Sequence, residues 1–160
     1  MSGSQNRCAR CAGTTRSGEQ CKNRTCIYSK YCNQHTNDVI IKKSTLPGDS
    51  GKGLFAKRPF EKGETIGLYT GERMTRAQFD AQIPESDYGI EPKKNYVIDG
   101  KDTQKSSNMR NINDGRTKKK NNARFSTNFR SHPLSVSVKA TRKINRLREI
   151  LVSYGPNYWR

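Results

Sequence analysis

The chain has 160 residues, and its 31 Lys and Arg outnumber its 14 Asp and Glu, giving a formal charge of +17 and a pI near 10.0. The apolar residues make up 31% of the chain, and adding the 13 glycines still leaves the total below the usual roughly 45–50%, so the core must be modest and suits one domain with at most a small accessory module. No apolar run approaches the roughly 20 residues that cross a bilayer and no apolar leader opens the chain, so we expect an intracellular protein that neither spans a membrane nor is secreted.

The N-terminal segment has the composition of a metal site. All five cysteines lie in the first 32 residues, and His35 follows the last of them by three positions. The pairs Cys8–Cys11 and Cys32–His35 have the short spacing that tetrahedral zinc sites use. A segment this polar cannot fold on an apolar core alone, so a metal would have to hold it together. The odd number of cysteines and the lack of a secretory leader argue against the alternative, a disulfide framework.

The same segment resembles a known kind of module. Cys11 to Lys22, followed by Tyr31-Cys-Asn-Gln-His35, is similar to a small zinc-binding module that occurs beside other domains, often in large DNA viruses. The resemblance implies Cys11, Cys21, Cys32 and His35 as the ligands and a zinc module over residues 1–38. Cys8 and Cys26 lie outside the matching pattern, so the choice of four ligands among six candidates stays open, with Cys26 as the stronger substitute.

Beyond residue 38 the pattern predicts short strands separated by turns. One helix is expected over Thr75–Gln82, with Thr75 as N-cap and Pro84 after its end. Many short strands, one helix and tight turns indicate a mainly β domain over residues 39–160. Glycine-rich turns are expected at Leu46–Gly53 and Phe60–Glu64. The predicted strands are Val39–Ser44, Leu54–Ala56, Thr65–Glu72, Tyr96–Asp99, Phe125–Phe129, Leu134–Val138 and Glu149–Tyr154.

Three segments of this domain resemble the SET-domain family of protein lysine methyltransferases, and its small viral-type members in particular. Gly51–Ala56 and then Phe60–Glu64 are similar to the family's opening G-x-G…F-x-x-G-E hairpins. Arg110–Gly115 and then Asn121–Phe125 are similar to R-F-I-N-H-S…N-A. Ile144–Trp159 matches the family's E-E-L/I…Y-G ending, with the Tyr-Trp extension of minimal members. The resemblance implies a fold of short β-sheets with a threaded C-terminal segment, and S-adenosylmethionine as the cofactor.

The resemblance also implies roles for single residues. Tyr154 is implied as the catalytic residue, where the substrate lysine meets the methyl donor; outside this motif it would be interpreted as a core aromatic. Tyr69 and Tyr88 are implied in the substrate channel. Core packing is the alternative for Tyr88 and Tyr96, and capping of the core is the alternative for Trp159. The cofactor-binding residues implied are Gly51, Lys52, Gly53, Leu54, Tyr96, Asn113, Asp114 and Trp159.

The residue types suit those roles, although each motif is ambiguous alone. Glycines let a main chain approach a ligand closely, but an isolated G-x-G is more often a hairpin turn. An amide such as that of Asn113 both donates and accepts, but Asn-Asp-Gly is also a common β-turn. Asp114 stands where the family has a histidine, whose role there is exerted through main-chain groups. No cysteine follows Tyr154 in residues 155–160, so we do not expect the zinc-bound C-terminal segment of some members here.

The charge is unevenly distributed along the chain. Residues 1–48 carry eight Lys or Arg and two Asp or Glu, residues 49–102 carry nine and ten, and residues 103–160 carry 14 and two. Only the near-neutral middle segment would not repel a cationic substrate. The basic ends favour binding to polyanions such as nucleic acid. The alternative is that their charge only keeps the protein soluble. We expect a basic loop over residues 116–124 to contact DNA or nucleosomes through Arg116, Lys118, Lys119, Lys120 and Arg124.

The sequence therefore predicts a protein-lysine methyltransferase that uses S-adenosylmethionine and zinc, with a histone tail as the preferred substrate. A location in the nucleus or in a virion fits that substrate. The alternative is a zinc-containing protein that binds nucleic acid or chromatin without catalysis. Binding of S-adenosylmethionine separates the two, because a pure nucleic-acid binder should ignore the cofactor.

Overall fold

The computed structural model describes residues 38–48 and 51–155. This part of the chain is mainly β, as predicted, and none of its helices is long or apolar enough to cross a membrane. Its helices are α1 (Arg76–Asp80) and a 3-10 helix (Asn108–Asn111). Its strands are β1 (Val39–Lys43), β2 (Lys52–Ala56), β3 (Thr65–Tyr69), β4 (Glu72–Met74), β5 (Gly89–Lys93), β6 (Tyr96–Asp99), β7 (Asn113–Asp114), β8 (Ala123–Asn128), β9 (Ser135–Ala140) and β10 (Leu151–Val152).

The strands within the described ranges form four small sheets. β1 pairs with β2, β9 lies between β3 and β8, and β6 lies between β4 and β5, with every pair antiparallel. The fourth sheet is the parallel pair of β7 and β10. This pair brings the last described strand against the residues that follow the 3-10 helix.

One apolar cluster connects the antiparallel sheets. Phe60 and Ile144, which lie outside the strands, exchange two main-chain hydrogen bonds of 2.9 Å and are at most 1% exposed. Burying each such side chain contributes about 1.5–3 kcal/mol. The cluster also takes buried side chains from β2, β6 and β9, such as Leu54, Ile98 and Val138. A modest set of short strands is thereby joined into one core.

The C-terminal segment is enclosed by a loop. β10 has β7 on one side, and on the other side Asn122 bonds Leu151 through its main chain and through its side chain, at 2.9 Å each. The Asn122 amide also donates to the Glu149 carbonyl at 2.9 Å. β7 and Asn122 are the two ends of one loop, residues 113–122. Residues 149–152 pass between these two ends, as expected for a threaded segment.

The predicted helix is confirmed by its cap. The Thr75 side chain accepts a hydrogen bond from the Gln78 main chain, and the Gln78 side chain accepts one from the Thr75 main chain. This reciprocal arrangement is the capping box, which pairs two donors that a helix start otherwise leaves unpaired. The cap fixes where the chain turns after β4, ahead of the insert that leads to β5.

Two strand predictions need correction. The strand predicted over Thr65–Glu72 is broken at Thr70–Gly71 into β3 and β4, which belong to different sheets. A Cβ at Gly71 would lie 2.1 Å from the Asp99 carbonyl oxygen, so the main chain there packs against β6 and cannot continue in the sheet of β3. The strand predicted over Glu149–Tyr154 is a regular strand only at Leu151–Val152, where it pairs with the two-residue β7. Before it, Glu149 forms an isolated antiparallel bridge with Phe55.

Two of the described strands were not predicted, β5 and the two-residue β7. β5 contains Pro92, which cannot donate to a sheet and usually argues against a strand. It is tolerated because β5 is the edge of the β4-β6-β5 sheet and needs a partner on one side only. The zinc module predicted over residues 1–38 lies outside the described residues, apart from Asp38.

Candidate active site

A cavity of about 850 Å³ opens beside the β7–β10 pair. Its size is in the range of small-molecule and cofactor sites. It lies where seven separate stretches of chain meet, so its lining depends on the whole fold. Its lining residues are Leu46, Gly51, Lys52, Tyr69, Asp87, Tyr88, Gly89, Ile90, Glu91, Pro92, Arg110, Asn111, Ile112, Asn113, Asp114, Arg116, Phe125, Thr127, Val136 and Tyr154.

Tyr154 is fixed at the cavity by two hydrogen bonds. Its hydroxyl donates to the Ile112 carbonyl at 2.6 Å, and its main-chain N–H donates to Asp114 Oδ2 at 2.8 Å. The other carboxylate oxygen of Asp114 accepts from the Arg116 main chain at 2.5 Å. Because the hydroxyl proton is directed at a carbonyl, the phenol oxygen meets any group in the cavity as an acceptor.

Tyr69 presents a second phenol to the same cavity. Its ring is 5% exposed, and its hydroxyl donates to the Tyr88 carbonyl at 2.5 Å. Burial raises the pKa of the Tyr69 hydroxyl well above its usual range, and the neighbouring Tyr154 raises it further. Tyr69 therefore keeps its proton at neutral pH and, like Tyr154, offers an acceptor oxygen.

Tyr88 and Arg110 form one wall. The Arg110 guanidinium lies 4.1 Å from the centre of the Tyr88 ring, a cation–π contact. Arg110 is held from behind by the Gly100 carbonyl at 2.7 Å and the Lys101 carbonyl at 3.3 Å. The wall therefore combines an aromatic face with a fixed positive charge.

A buried carboxylate holds the loop that leads to Tyr88. Asp99 is 3% exposed and accepts hydrogen bonds from Ser86 Oγ at 2.6 Å and from Gln82 Nε2 at 3.0 Å. The Gly100 main chain adds a bond to the Tyr88 carbonyl at 3.0 Å. Sequence reasoning missed this role, because the only signal was an acidic residue ending a strand, which is common in turns.

Three described residues of the glycine-rich turn at Leu46–Gly53 line the cavity, namely Leu46, Gly51 and Lys52. Gly51 has a φ of 63°, and a Cβ there would meet open space, so the bare main chain faces the cavity. The Asn113 amide donates to the Lys52 carbonyl at 2.9 Å and ties this turn to β7. Gly53 instead packs against Glu149, whose carboxylate oxygen would lie 2.3 Å from a Cβ at Gly53. Leu54 is fully buried in the core.

The structure brings together seven of the residues that the motifs singled out. Tyr96 is placed elsewhere: it is half-buried, and its hydroxyl accepts from Arg73 at 2.5 Å. Trp159 and the four zinc-ligand candidates lie outside the described residues. Among those that are described, no group of three or more His, Cys, Asp or Glu could hold a metal. The seven are Gly51, Lys52, Tyr69, Tyr88, Asn113, Asp114 and Tyr154.

Comparison with solved structures gives matches of similar fold. The Chaetomium thermophilum polycomb repressive complex 2 matches with a TM-score of 0.64 and 23% identity, covering 77% of this chain and 16% of that one. An autoinhibited ctPRC2 bound to S-adenosylmethionine matches at 0.62 and 22%, covering 78% and 16%. The methyltransferase domain of human PR domain-containing protein 2 matches at 0.58 and 21%, covering 74% and 77%. At these identities the matches show a shared fold.

A search of curated protein sequences gives no match. The chain spans about a sixth of the polycomb-complex chains that it resembles. The family comparison is more direct, because the SET-domain model matches residues 51–155. That stretch is well over half of the chain and includes every described residue of the cavity except Leu46. The chain belongs to the SET-domain family.

Proposed function

We propose that the protein transfers a methyl group from S-adenosylmethionine to a lysine side chain of a protein, with a histone tail as the preferred substrate. The observation that carries the proposal is the pair of phenols, Tyr69 and Tyr154, in one cavity. Both direct their hydroxyl protons at main-chain carbonyls, so both offer acceptor oxygens to whatever enters. Family membership supports the same reaction.

The cavity residues fit the cofactor. Gly51 has no side chain to cover the main chain at Gly51 and Lys52, so an extended ligand can lie directly against it. Asn113 has its amide N–H₂ directed to Lys52, which leaves its carbonyl oxygen to accept from an ammonium group. When bound, S-adenosylmethionine supplies an electrophilic methyl group on a positively charged sulfur.

The lysine must enter as a neutral amine. Its ordinary pKa is about 10.4, so the protonated form has no lone pair with which to attack. The Arg110 guanidinium against Tyr88 disfavours a second positive charge nearby, and the aromatic walls withdraw the amine from water. The Tyr154 and Tyr69 oxygens would orient the amine by accepting hydrogen bonds from its N–H groups, and they could accept weak C–H···O contacts from a methyl group bound beside them. Fixing the two reacting groups in line supplies much of the rate.

A cationic peptide substrate fits the outer part of the cavity. Asp87 and Glu91 both line it, and the Asp87 side chain is exposed. Glu91 forms an ion pair with Arg76 at 3.5 Å, which partly offsets its charge. Asp87 therefore attracts a cationic peptide more strongly than Glu91 does. A lysine-rich flexible tail satisfies both requirements, a target amine and surrounding positive charge, which is why we favour a histone tail.

Calorimetric titration of the full chain with S-adenosylmethionine tests the proposal against its alternative. A methyltransferase binds the cofactor with defined stoichiometry, whereas a non-catalytic nucleic-acid binder gives no heat beyond dilution. Only the basic charge favours the alternative, a non-catalytic nucleic-acid binder. A methyltransferase that acts on chromatin would need the same basic charge. Absence of cofactor binding by folded protein would exclude the enzyme.

The sequence also supports a zinc-binding module at residues 1–38. We propose one zinc ion per chain, held mainly by Cys11, Cys21, Cys32 and His35, because a thiolate–imidazole cluster in a polar segment suits zinc. Elemental analysis of protein purified with a reductant should find one zinc per chain. Finding no metal in folded protein would contradict the proposal.

A further inference from the structure

One stretch of the chain has an extreme charge. From Gly115 to Arg148 there are eleven Lys or Arg and no Asp or Glu. The acidic residues that flank it, Asp114 and Glu149, are each 6% exposed and accept hydrogen bonds from main-chain N–H groups. Their carboxylates are therefore engaged inside the fold and do not offset the positive charge on the surface.

The fold gathers part of this charge onto one end of the β8–β9 pair. Arg124 lies directly opposite Lys139 in the antiparallel register, so the two side chains share a face. The Arg142 guanidinium donates to the Lys119 carbonyl, which ties the loop before β8 to the turn after β9. We call the resulting surface the basic face, formed by Lys118, Lys119, Lys120, Arg124, Lys139 and Arg142.

The basic face is not neutralised by the described part of the protein. The ion pairs there involve Arg58, Arg76, Lys105 and Lys143, and none involves a residue of the basic face. Like charges directly opposite one another in a sheet reduce stability. The arrangement of Arg124 and Lys139 is therefore unfavourable for the isolated fold and favourable for binding an anion.

The composition of the face indicates which anion. Protein–protein interfaces usually have an aromatic or apolar centre, but none of the large exposed apolar side chains lies in residues 116–124 or 139–143. Lys and Arg without such a centre suit phosphates, which are contacted without reading base sequence. We propose that the basic face binds the phosphate backbone of double-stranded DNA without sequence preference. Arg116, which lines the cavity, starts the same loop, so bound DNA would lie beside the cavity.

Fluorescence anisotropy of a labelled DNA duplex of random sequence, titrated with the full chain at several salt concentrations, tests this inference. The variant R124Q/K139Q should bind more weakly, with a slope of log affinity against log salt that is less steep by about 2. The matched control is K93Q/K94Q, which removes the same charge from two exposed residues at the β5–β6 turn and should leave the slope unchanged. Equal losses in both variants would mean that net charge alone drives binding and would overturn the proposal.

Two further readouts make the test robust. Removing the opposed cations in R124Q/K139Q should leave the thermal stability unchanged or raise it. If this variant unfolds instead, K118Q/K119Q removes two exposed loop cations of the same basic face. That second variant should give the same change in the salt slope. Polyglutamate serves as the acidic-protein probe. Loss of polyglutamate binding with DNA binding intact would assign the face to an acidic protein and overturn the proposal. No cofactor or methyl acceptor is present, so failure here is distinguishable from failure of methyl transfer.

Discussion

Tyr154 is held both by its hydroxyl, which bonds the Ile112 carbonyl, and by its main-chain N–H, which bonds Asp114. Because the second bond does not involve the phenol oxygen, that oxygen can be removed while the ring stays in place. We predict that Tyr154→Phe loses most methyl transfer while keeping its affinity for S-adenosylmethionine, because the oxygen orients the amine and the ring only packs. Turnover and calorimetry measure the two effects separately. Tyr96→Phe is the control, since it removes a phenol oxygen outside the cavity lining. Unchanged turnover in Tyr154→Phe would remove Tyr154 from its role.

Asn113 connects the glycine-rich turn to β7. We predict that Asn113→Ala weakens binding of S-adenosylmethionine by roughly 5- to 150-fold, because losing such a hydrogen-bonding amide costs about 1–3 kcal/mol. Calorimetric dissociation constants give the comparison. Asn128→Ala, at the far end of β8, should leave the affinity unchanged. Equal dissociation constants for wild type and Asn113→Ala would contradict the assignment.

Tyr69 makes stability depend on pH in the alkaline range. Its folded-state pKa is raised by burial, so the stability that its neutral hydroxyl contributes is present below the unfolded-state pKa of about 10 and is lost as the pH rises above it. We predict that Tyr69→Phe is less stable than wild type by about 1 kcal/mol at neutral pH. The difference should shrink above about pH 10. Urea denaturation at a series of pH values measures it, and a difference independent of pH would show that the hydroxyl is not buried as described.

At the scale of elements, the enclosure of the C-terminal segment depends on one buried amide. Asn122 is 8% exposed and bonds both the Glu149 carbonyl and the Leu151 N–H. We predict that Asn122→Ala lowers the free energy of unfolding by about 1–3 kcal/mol, because two buried main-chain groups lose their partners. The exposed Asn145→Ala should change it far less. Chemical denaturation gives both values, and equal stabilities would show that the amide does not hold the segment.

The elements that sequence reasoning found are those set by local rules. β6 and most of β9, which was predicted over Leu134–Val138 and is observed over Ser135–Ala140, follow from apolar patterning. The helix start follows from the Thr75 cap. The break at Gly71 could not be found this way, because it depends on contact with Asp99 far along the chain. β5 was hidden by Pro92, which is acceptable only once β5 is known to be an edge.

The same division holds for the candidate site. Residues carried by recognisable motifs, such as Gly51, Asn113 and Tyr154, line the cavity. The Asp99 side chain, which holds the loop before Tyr88, belongs to no recognised motif. Arg110 opens a recognised motif, but its contact with the Tyr88 ring joins distant segments and could not be foreseen from that motif. Local chemistry could be anticipated from the sequence, whereas the support behind it required the fold.

At the scale of the whole molecule, charge is separated in a way that suits a chromatin substrate. The cavity carries carboxylates at Asp87 and Glu91, while the basic face carries cations without ion pairs among the described residues. A basic tail would be attracted to the first and DNA to the second. One molecule could thereby engage both components of a nucleosome despite a formal charge of +17.

Transfer of a radiolabelled methyl group from S-adenosylmethionine to core histones and nucleosomes is the most direct test of the proposed activity. We predict that the wild-type chain labels lysine residues of histones, that Tyr154→Phe labels them far less, and that nucleosomes are labelled more efficiently than free histones. Protein that binds S-adenosylmethionine and is folded, yet labels no lysine on any protein offered, would contradict the assignment of this cavity as a lysine methyltransferase active site.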